Sequence, residues 1–291
     1  AASHPQLRRF ARSEDLTEGP TRPTFSLIGY SSRGETMTFR HISAAIICAA
    51  ALFTTAARAE IKTQIIEYKQ GDAVLEGMIA YDDAKSGKRP GVVIYHQWTG
   101  PSDHERKVAQ DLAKQGYVAF VADIYGKGVR PPAPKESAAE MTKYLKDRSL
   151  LRARAKAGFD QLAARAEVDA TRIGVIGYCF GGTSILELGR GGVPAKSFVS
   201  LHGVLANPTP EDAKNIKGPV LVLHGAADAF VTDKEVEGFL AEMKAVNADV
   251  TFVSYAGAPH SFTIQGGAFR PVAAARAWRA MGDFLTETLS N

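Results

Sequence analysis

The chain has 291 residues, 45% of them hydrophobic and 23% charged, with 14 prolines and 27 glycines. Those proportions exclude disordered, collagen-like and multi-span membrane chains and describe a soluble globular protein. The formal charge of +4 sits mostly at the front: residues 1–59 hold seven basic and four acidic groups, leaving 28 basic against 27 acidic groups in the body. A nearly neutral body lacks the electrostatic footprint of a nucleic-acid binder. Two cysteines, Cys48 and Cys179, cannot make a disulfide framework.

Residues 1–36 mix Arg, Ser, Thr, Pro and Gly without helical or strand period, too poor in apolar surface to offset the entropy of ordering them. They are expected to be a disordered or spurious extension. From Met37 the layout changes to a cationic start (Arg40), an uncharged run of 16 residues over 42–57, and the small-x-small triplet Ala57-Arg58-Ala59. That is the pattern of a secretory signal peptide over 37–59, and the run is shorter than the ~20 residues of a spanning helix. An uncleaved anchor is the alternative. Ile47 stands before Cys48 where a lipoprotein signal wants a small residue. The mature domain is then 60–291, periplasmic or secreted, without stable membrane association after cleavage, and carrying Cys179 as its one thiol.

Strand-like segments at 62–68 and 73–81 open this body. The run GVVIY at 91–95 has no polar alternation, as expected of a strand covered on both faces. A helix over 102–115 follows, with Ser102 and Glu105 spaced as a capping box and Gly116 as the stop. Then come strand 117–122, a Gly- and Pro-rich loop, helical segments over 137–167 and strand 172–176. A helix over 181–188 is followed by strands 198–201 and 219–223. Helix 232–246 opens with Thr232 and Glu235, again a capping box, before strand 250–255. The final helix, 271–289, places Trp278, Met281 and Leu285 on one stripe. Strands alternating with helices specify a single α/β domain with a mostly parallel sheet and helices on both faces.

The chemistry concentrates at Gly177-Tyr178-Cys179-Phe180-Gly181-Gly182, a thiol version of the G-x-S-x-G nucleophile elbow, with a strand before and a helix after. Glycines at 177 and 181 let strand and helix pass close to a sharp turn. The N-terminal end of the helix favours the thiolate form of Cys179. A buried cysteine in a glycine-rich turn is the bland alternative. Two further residues weigh against it: Asp228 just beyond strand 219–223, and His260 just beyond strand 250–255. Nucleophile, acid and histidine come in the chain order of α/β-hydrolases. His202 and His224 follow strands and are read as satisfied structural histidines. No histidine pair has metal-ligand spacing, and there is neither a P-loop nor a dinucleotide fingerprint, so no metal and no cofactor are expected.

With these residues in view, the chain from about residue 60 resembles the dienelactone hydrolase family of α/β-hydrolases. The matching stretches are His96-Gln97-Trp98-Thr99-Gly100, Ala122-Asp123-Ile124-Tyr125-Gly126, the elbow, His224-Gly225-Ala226-Ala227-Asp228 and His260-Ser261-Phe262. The resemblance implies a Cys179, His260, Asp228 triad and an oxyanion hole from the backbone N–H groups of Phe180 and Trp98. His96 and Trp98 are expected at the pocket mouth, with loop packing as the alternative. Gln97 occupies the position of a glutamate near the thiol, and Lys127 that of a substrate-binding arginine. The position of a second such arginine is Ile264, which offers nothing to an anion, so dienelactone itself fits poorly.

The expected activity is hydrolysis of small carboxylic esters or lactones through a cysteine thioester, by a monomer or weak dimer. The competing readings are a non-catalytic exported scaffold that binds a small apolar ligand, and a thiol redox protein. The second lacks a resolving cysteine in the mature chain.

Overall fold

The computed structural model describes residues 60–290. The extension at 1–36, the leader at 37–59 and Cys48 lie outside the described residues. In chain order the elements are β1 (Ile61–Gln70), β2 (Ala73–Asp82), β3 (Arg89–Tyr95), α1 (Asp103–Lys114), β4 (Val118–Ala122), α2 (Pro134–Lys146), α3 (Arg148–Ala163) and β5 (Val168–Tyr178). Then follow α4 (Phe180–Arg190), β6 (Ser197–Leu201), a 3-10 turn (Pro210–Asn215), β7 (Val220–Gly225), α5 (Asp233–Ala245), β8 (Val250–Tyr255) and α6 (Pro271–Leu289).

The strands make one eight-stranded sheet in the order β1-β2-β4-β3-β5-β6-β7-β8. The pairs β1–β2 and β2–β4 are antiparallel, and every later pair is parallel. The parallel part follows from the sequence. Runs such as Val92-Val93-Ile94 and Val220-Leu221-Val222-Leu223 have no polar face, and in the structure both of their faces are buried. One face packs on α1 and α6 through residues such as Leu112, Met281 and Leu285. The other packs on α2 to α5 through Tyr144, Leu151, Phe159, Leu186 and Phe239.

Both capping boxes form as the spacing predicts. The Ser102 and Thr232 side chains accept from first-turn N–H groups, and Glu105 and Glu235 accept in return from the cap N–H groups. The helical stretch around 137–167 divides at Asp147, whose carboxylate accepts from the N–H of Leu150 at 2.9 Å and starts α3. Trp278 departs from the predicted stripe. Met281 and Leu285 are buried, but Trp278 sits at the surface against Phe269, because the buried line along α6 runs through Ala274, Ala277, Met281, Leu285 and Leu289 and leaves position 278 at its edge.

The most enclosed helix is α4, all of whose residues are buried. Its two charged residues are held in a network of ion pairs. Arg190 donates twice to Glu242, at 2.9 Å each, and to Glu187 at 3.1 Å. Glu187 also accepts from Arg152, which in turn reaches Asp212 at 2.7 Å. Buried charges need such partners, and these fix the far end of the helix whose first turn faces Cys179.

Candidate active site

The carboxyl ends of β3, β5, β6, β7 and β8 lie along one edge of the sheet, where open α/β sheets present their ligands. Cys179 stands between β5 and α4 at φ 54° and ψ −114°, a backbone conformation that costs about 1–3 kcal/mol for a residue with a Cβ. Its neighbours explain why the turn needs glycine. A Cβ on Gly177 would lie 2.1 Å from the Gly181 carbonyl oxygen, and one on Gly181 would lie 2.1 Å from the Tyr95 carbonyl oxygen. The Cys179 N–H is shared between the Leu201 carbonyl (3.0 Å) and His202 Nδ1 (3.2 Å). The strain is therefore held by the adjacent strand β6.

His260 Nε2 lies 3.1 Å from Cys179 Sγ, and its Nδ1 lies 2.8 Å from Asp228 Oδ2. Asp228 is oriented in turn by the Phe230 N–H, which donates to Oδ1 at 2.8 Å. Burial disfavours a charged imidazole, but the hydrogen bonds to Asp228 and Cys179 outweigh it and raise His260 to about 9. Burial opposes the Asp228 carboxylate as well, yet the His260 contact holds its pKa below the usual carboxylate value. Both shifts describe an imidazolium clamped between a carboxylate and a sulfur.

The N–H groups of Phe180 and Trp98, expected to receive an oxyanion, donate no hydrogen bond among the described residues. The backbone at Trp98 is tethered by Tyr125, whose hydroxyl donates to the Trp98 carbonyl at 2.8 Å. The Tyr125 ring rests against those of His96, Tyr144 and Phe180.

Beside the sulfur opens a cavity of about 450 Å³, walled by Trp98, Met141, Leu145, Val204 and Phe230 together with Cys179 and His260. No lysine or arginine lines it. Met141 and Leu145 of α2, Val204 after β6 and Phe230 after β7 were not legible as site residues. Phe230 carried a weak signal, an aromatic two positions beyond Asp228 in a turn, and it is 72% exposed against the His260 ring.

Three predicted substrate contacts are corrected. His96 is fully buried away from the cavity: its Nε2 accepts from the Ile124 N–H at 3.1 Å and its Nδ1 donates to the Gln97 carbonyl. It ties the loop after β3 to the loop after β4, which is the packing alternative. Gln97 turns its amide toward Glu105 of α1, at 3.3 Å, because that carboxylate is buried in the capping box and has an oxygen to share. Lys127 is exposed and pairs with Glu67 of β1, so its charge is neutralised outside the cavity. Ile264 packs on the opposite, α6 side of the sheet.

Of the two structural histidines, His202 is satisfied, with Nε2 donating to Thr263 Oγ1 at 2.8 Å. Burial, with the field of His260, keeps it neutral. His224 differs from expectation. Its ring packs against Phe252, and the buried Nδ1 has no hydrogen-bond partner, since the neighbouring carboxylate of Asp228 is turned to His260.

Fold, elbow and carboxylate–imidazole–thiol alignment together define an α/β-hydrolase. More specifically, the chain belongs to the dienelactone hydrolase family, whose model matches residues 75–289. Among solved structures, m3DLH is 36% identical with a TM-score of 0.76, over 79% of this chain and 99% of that one. A dienelactone hydrolase-like promiscuous phosphotriesterase from metagenomic libraries is 34% identical with a TM-score of 0.74, again over 79% and 99%. A probable 2-oxo-3-(5-oxofuran-2-ylidene)propanoate lactonase of Bradyrhizobium sp is 29% identical over 205 residues, 66% of this chain and 82% of that protein.

Proposed function

We propose that this protein hydrolyses small, uncharged carboxylic esters or lactones through a thioester on Cys179. The 3.1 Å approach of His260 Nε2 to Cys179 Sγ, with Asp228 behind it, is the observation that carries the reading. Family membership supports it, as does the lactonase name of the Bradyrhizobium relative.

The Cys179 thiolate attacks the carbonyl carbon, and the carbonyl π electrons move to oxygen. The N–H groups of Phe180 and Trp98 receive that oxyanion; losing one such donor typically costs ~2.7–4 kcal/mol of barrier. Collapse expels the alkoxide, which takes a proton from the His260 imidazolium and leaves as the alcohol. A water then gives its proton to His260 and attacks the thioester. The second collapse releases the carboxylic acid and restores the thiolate. Asp228 orients the ring and stabilises its charge throughout.

The chemistry of sulfur narrows the substrate. A thiolate leaves a tetrahedral intermediate more readily than a simple alkoxide does, so productive collapse needs a good leaving group. Strained lactones, enol esters and aryl esters meet that need and amides do not. The walls narrow it further, because no lysine or arginine lines the cavity and the one imidazolium there is already held between Asp228 and Cys179, which leaves no free cation for a carboxylate.

Mass spectrometry after mixing with an aryl ester tests the reading. An acyl adduct on the peptide containing Cys179 should form and then decay, and Cys179→Ala should abolish both adduct and turnover. A variant that turns over undiminished removes the nucleophile assignment. An adduct that never forms favours the non-catalytic scaffold.

A further inference from the structure

On the α1–α6 side of the sheet lies a second cavity, about 460 Å³ in volume and distinct from the one at Cys179. Val108 and Leu112 of α1 and Trp278 and Met281 of α6 give it apolar walls. Two of the lining residues carry a buried polar atom without a hydrogen-bond partner, the Tyr178 hydroxyl and His104 Nε2. The Tyr178 side chain is completely enclosed, and its ring meets the His104 ring edge-on at 4.7 Å between centroids. Buried polar groups left without partners cost about 1–3 kcal/mol each, so two at one cavity mark a place where a ligand group belongs.

We propose that this cavity is a second small-molecule site, for an uncharged phenol or aryl alcohol. A hydroxyl can do what the two orphaned atoms require, accepting from the Tyr178 O–H while donating to His104 Nε2. The aromatic body would lie between the α1 and α6 side chains, in a volume typical of small-molecule pockets. Charge argues for a neutral occupant. The rim carries Lys107 and Asp111, and they neutralise each other across 2.6 Å. Burial also keeps both partners uncharged, pushing the Tyr178 phenol up and the His104 imidazole down.

The site has a physical connection to the first. Tyr178 immediately precedes Cys179, and Thr263 lines the second cavity while its hydroxyl holds His202, which holds the Cys179 N–H. The loop after His260 walls both cavities, with Ser261 and Ala268 on one and Thr263 and Gln265 on the other.

The two tryptophans of the chain make the test direct, because Trp98 lines the first cavity and Trp278 the second. In the full chain carrying Trp98→Phe, Trp278 fluorescence should be quenched saturably by 4-bromophenol. Gly282→Phe should abolish saturation, since Gly282 lines the second cavity and a Cβ there meets open space. Gly282→Leu serves if the larger ring disturbs folding, as judged by circular dichroism. His104→Phe should weaken binding about tenfold, the value of one lost hydrogen bond. Ala138→Phe, which narrows the first cavity without adding a tryptophan, should leave the quenching intact. Linear, non-saturating quenching overturns the proposal, as does saturation that survives Gly282→Phe and Gly282→Leu or that is lost with Ala138→Phe. The readout is binding and not turnover, so it stands or falls separately from the ester hydrolysis proposed above.

Discussion

His202 holds Cys179 by the backbone: its Nδ1 accepts the Cys179 N–H at 3.2 Å while its Nε2 donates to Thr263 Oγ1 at 2.8 Å. One neutral ring thus joins the strained turn to the loop that follows His260, and it does so from a left-handed backbone position, φ 42°. Leucine at this position removes both hydrogen bonds and is strained there. His202→Leu should lower stability by about 1–3 kcal/mol in urea titration and lower kcat more than it raises KM. Asparagine tolerates positive φ and carries both a donor and an acceptor, so His202→Asn should recover part of both losses.

A methyl group is enough to break the elbow. In Gly181→Ala the new Cβ would meet the Tyr95 carbonyl oxygen at 2.1 Å, and no side-chain rotation relieves a collision with backbone. The expected result is a loss of about 3 kcal/mol or more, at or beyond the upper end of ordinary overpacking, and a loss of esterase activity in whatever fraction still folds.

Protonation of His260 links the site to stability. Its pKa is raised from 6.5 to about 9, so its contribution is fully present below about pH 6.5 and disappears as pH rises through about 9. The difference in urea midpoint between the wild type and His260→Gln should shrink over that interval. Asp228, whose pKa is lowered, acts oppositely: its contribution is present above the ordinary carboxylate range and is lost in acid as pH falls through the depressed value. The same clamp predicts that alkylation of Cys179 by iodoacetamide at pH 6 depends on the His260 imidazolium. In His260→Ala it should slow at least about tenfold there, and peptide mapping identifies the modified thiol.

The ion-pair network beneath α4 gives a test far from the chemistry. Arg190→Met would leave Glu242 without its guanidinium and remove one of the two cations on Glu187. Truncating one partner of a buried pair typically costs about 3–5 kcal/mol, measurable by urea unfolding. Because α4 starts at the residue after Cys179, the alkylation rate should fall along with the midpoint.

Substrate charge separates this site from one built for anions. Aryl esters with a free carboxylate on the acyl chain should show kcat/KM at least about tenfold below their methyl-ester counterparts, because the cavity would bury that charge unpaired. Val204→Arg should narrow the gap by giving the carboxylate a partner.

The strands were legible because a parallel strand covered on both faces leaves a run without polar residues, as at 91–95 and 219–223. The elbow was legible because its glycines and its flanking strand and helix form one local pattern. The strand order, with β4 between β2 and β3, was not: it is decided by long-range pairing that leaves no local trace. Nor could position in the chain tell where a side chain points. Gln97 stands within a matched motif and Lys127 directly after one, yet Glu105 draws the first side chain and Glu67 the second. Met141 and Leu145 are unremarkable helical apolar residues until α2 is laid over the mouth of the cavity.

At the bend after β5, steric tolerance differs sharply between neighbouring positions. The carbonyl oxygens of Gly181 and Tyr95 crowd residues 177 and 181, while residue 179 projects its side chain into open volume. Exchange of the atom presented there, sulfur for oxygen, therefore asks nothing of the main chain, whereas the smallest enlargement two positions either side does. Over evolutionary time such a frame can change its reagent more easily than its shape.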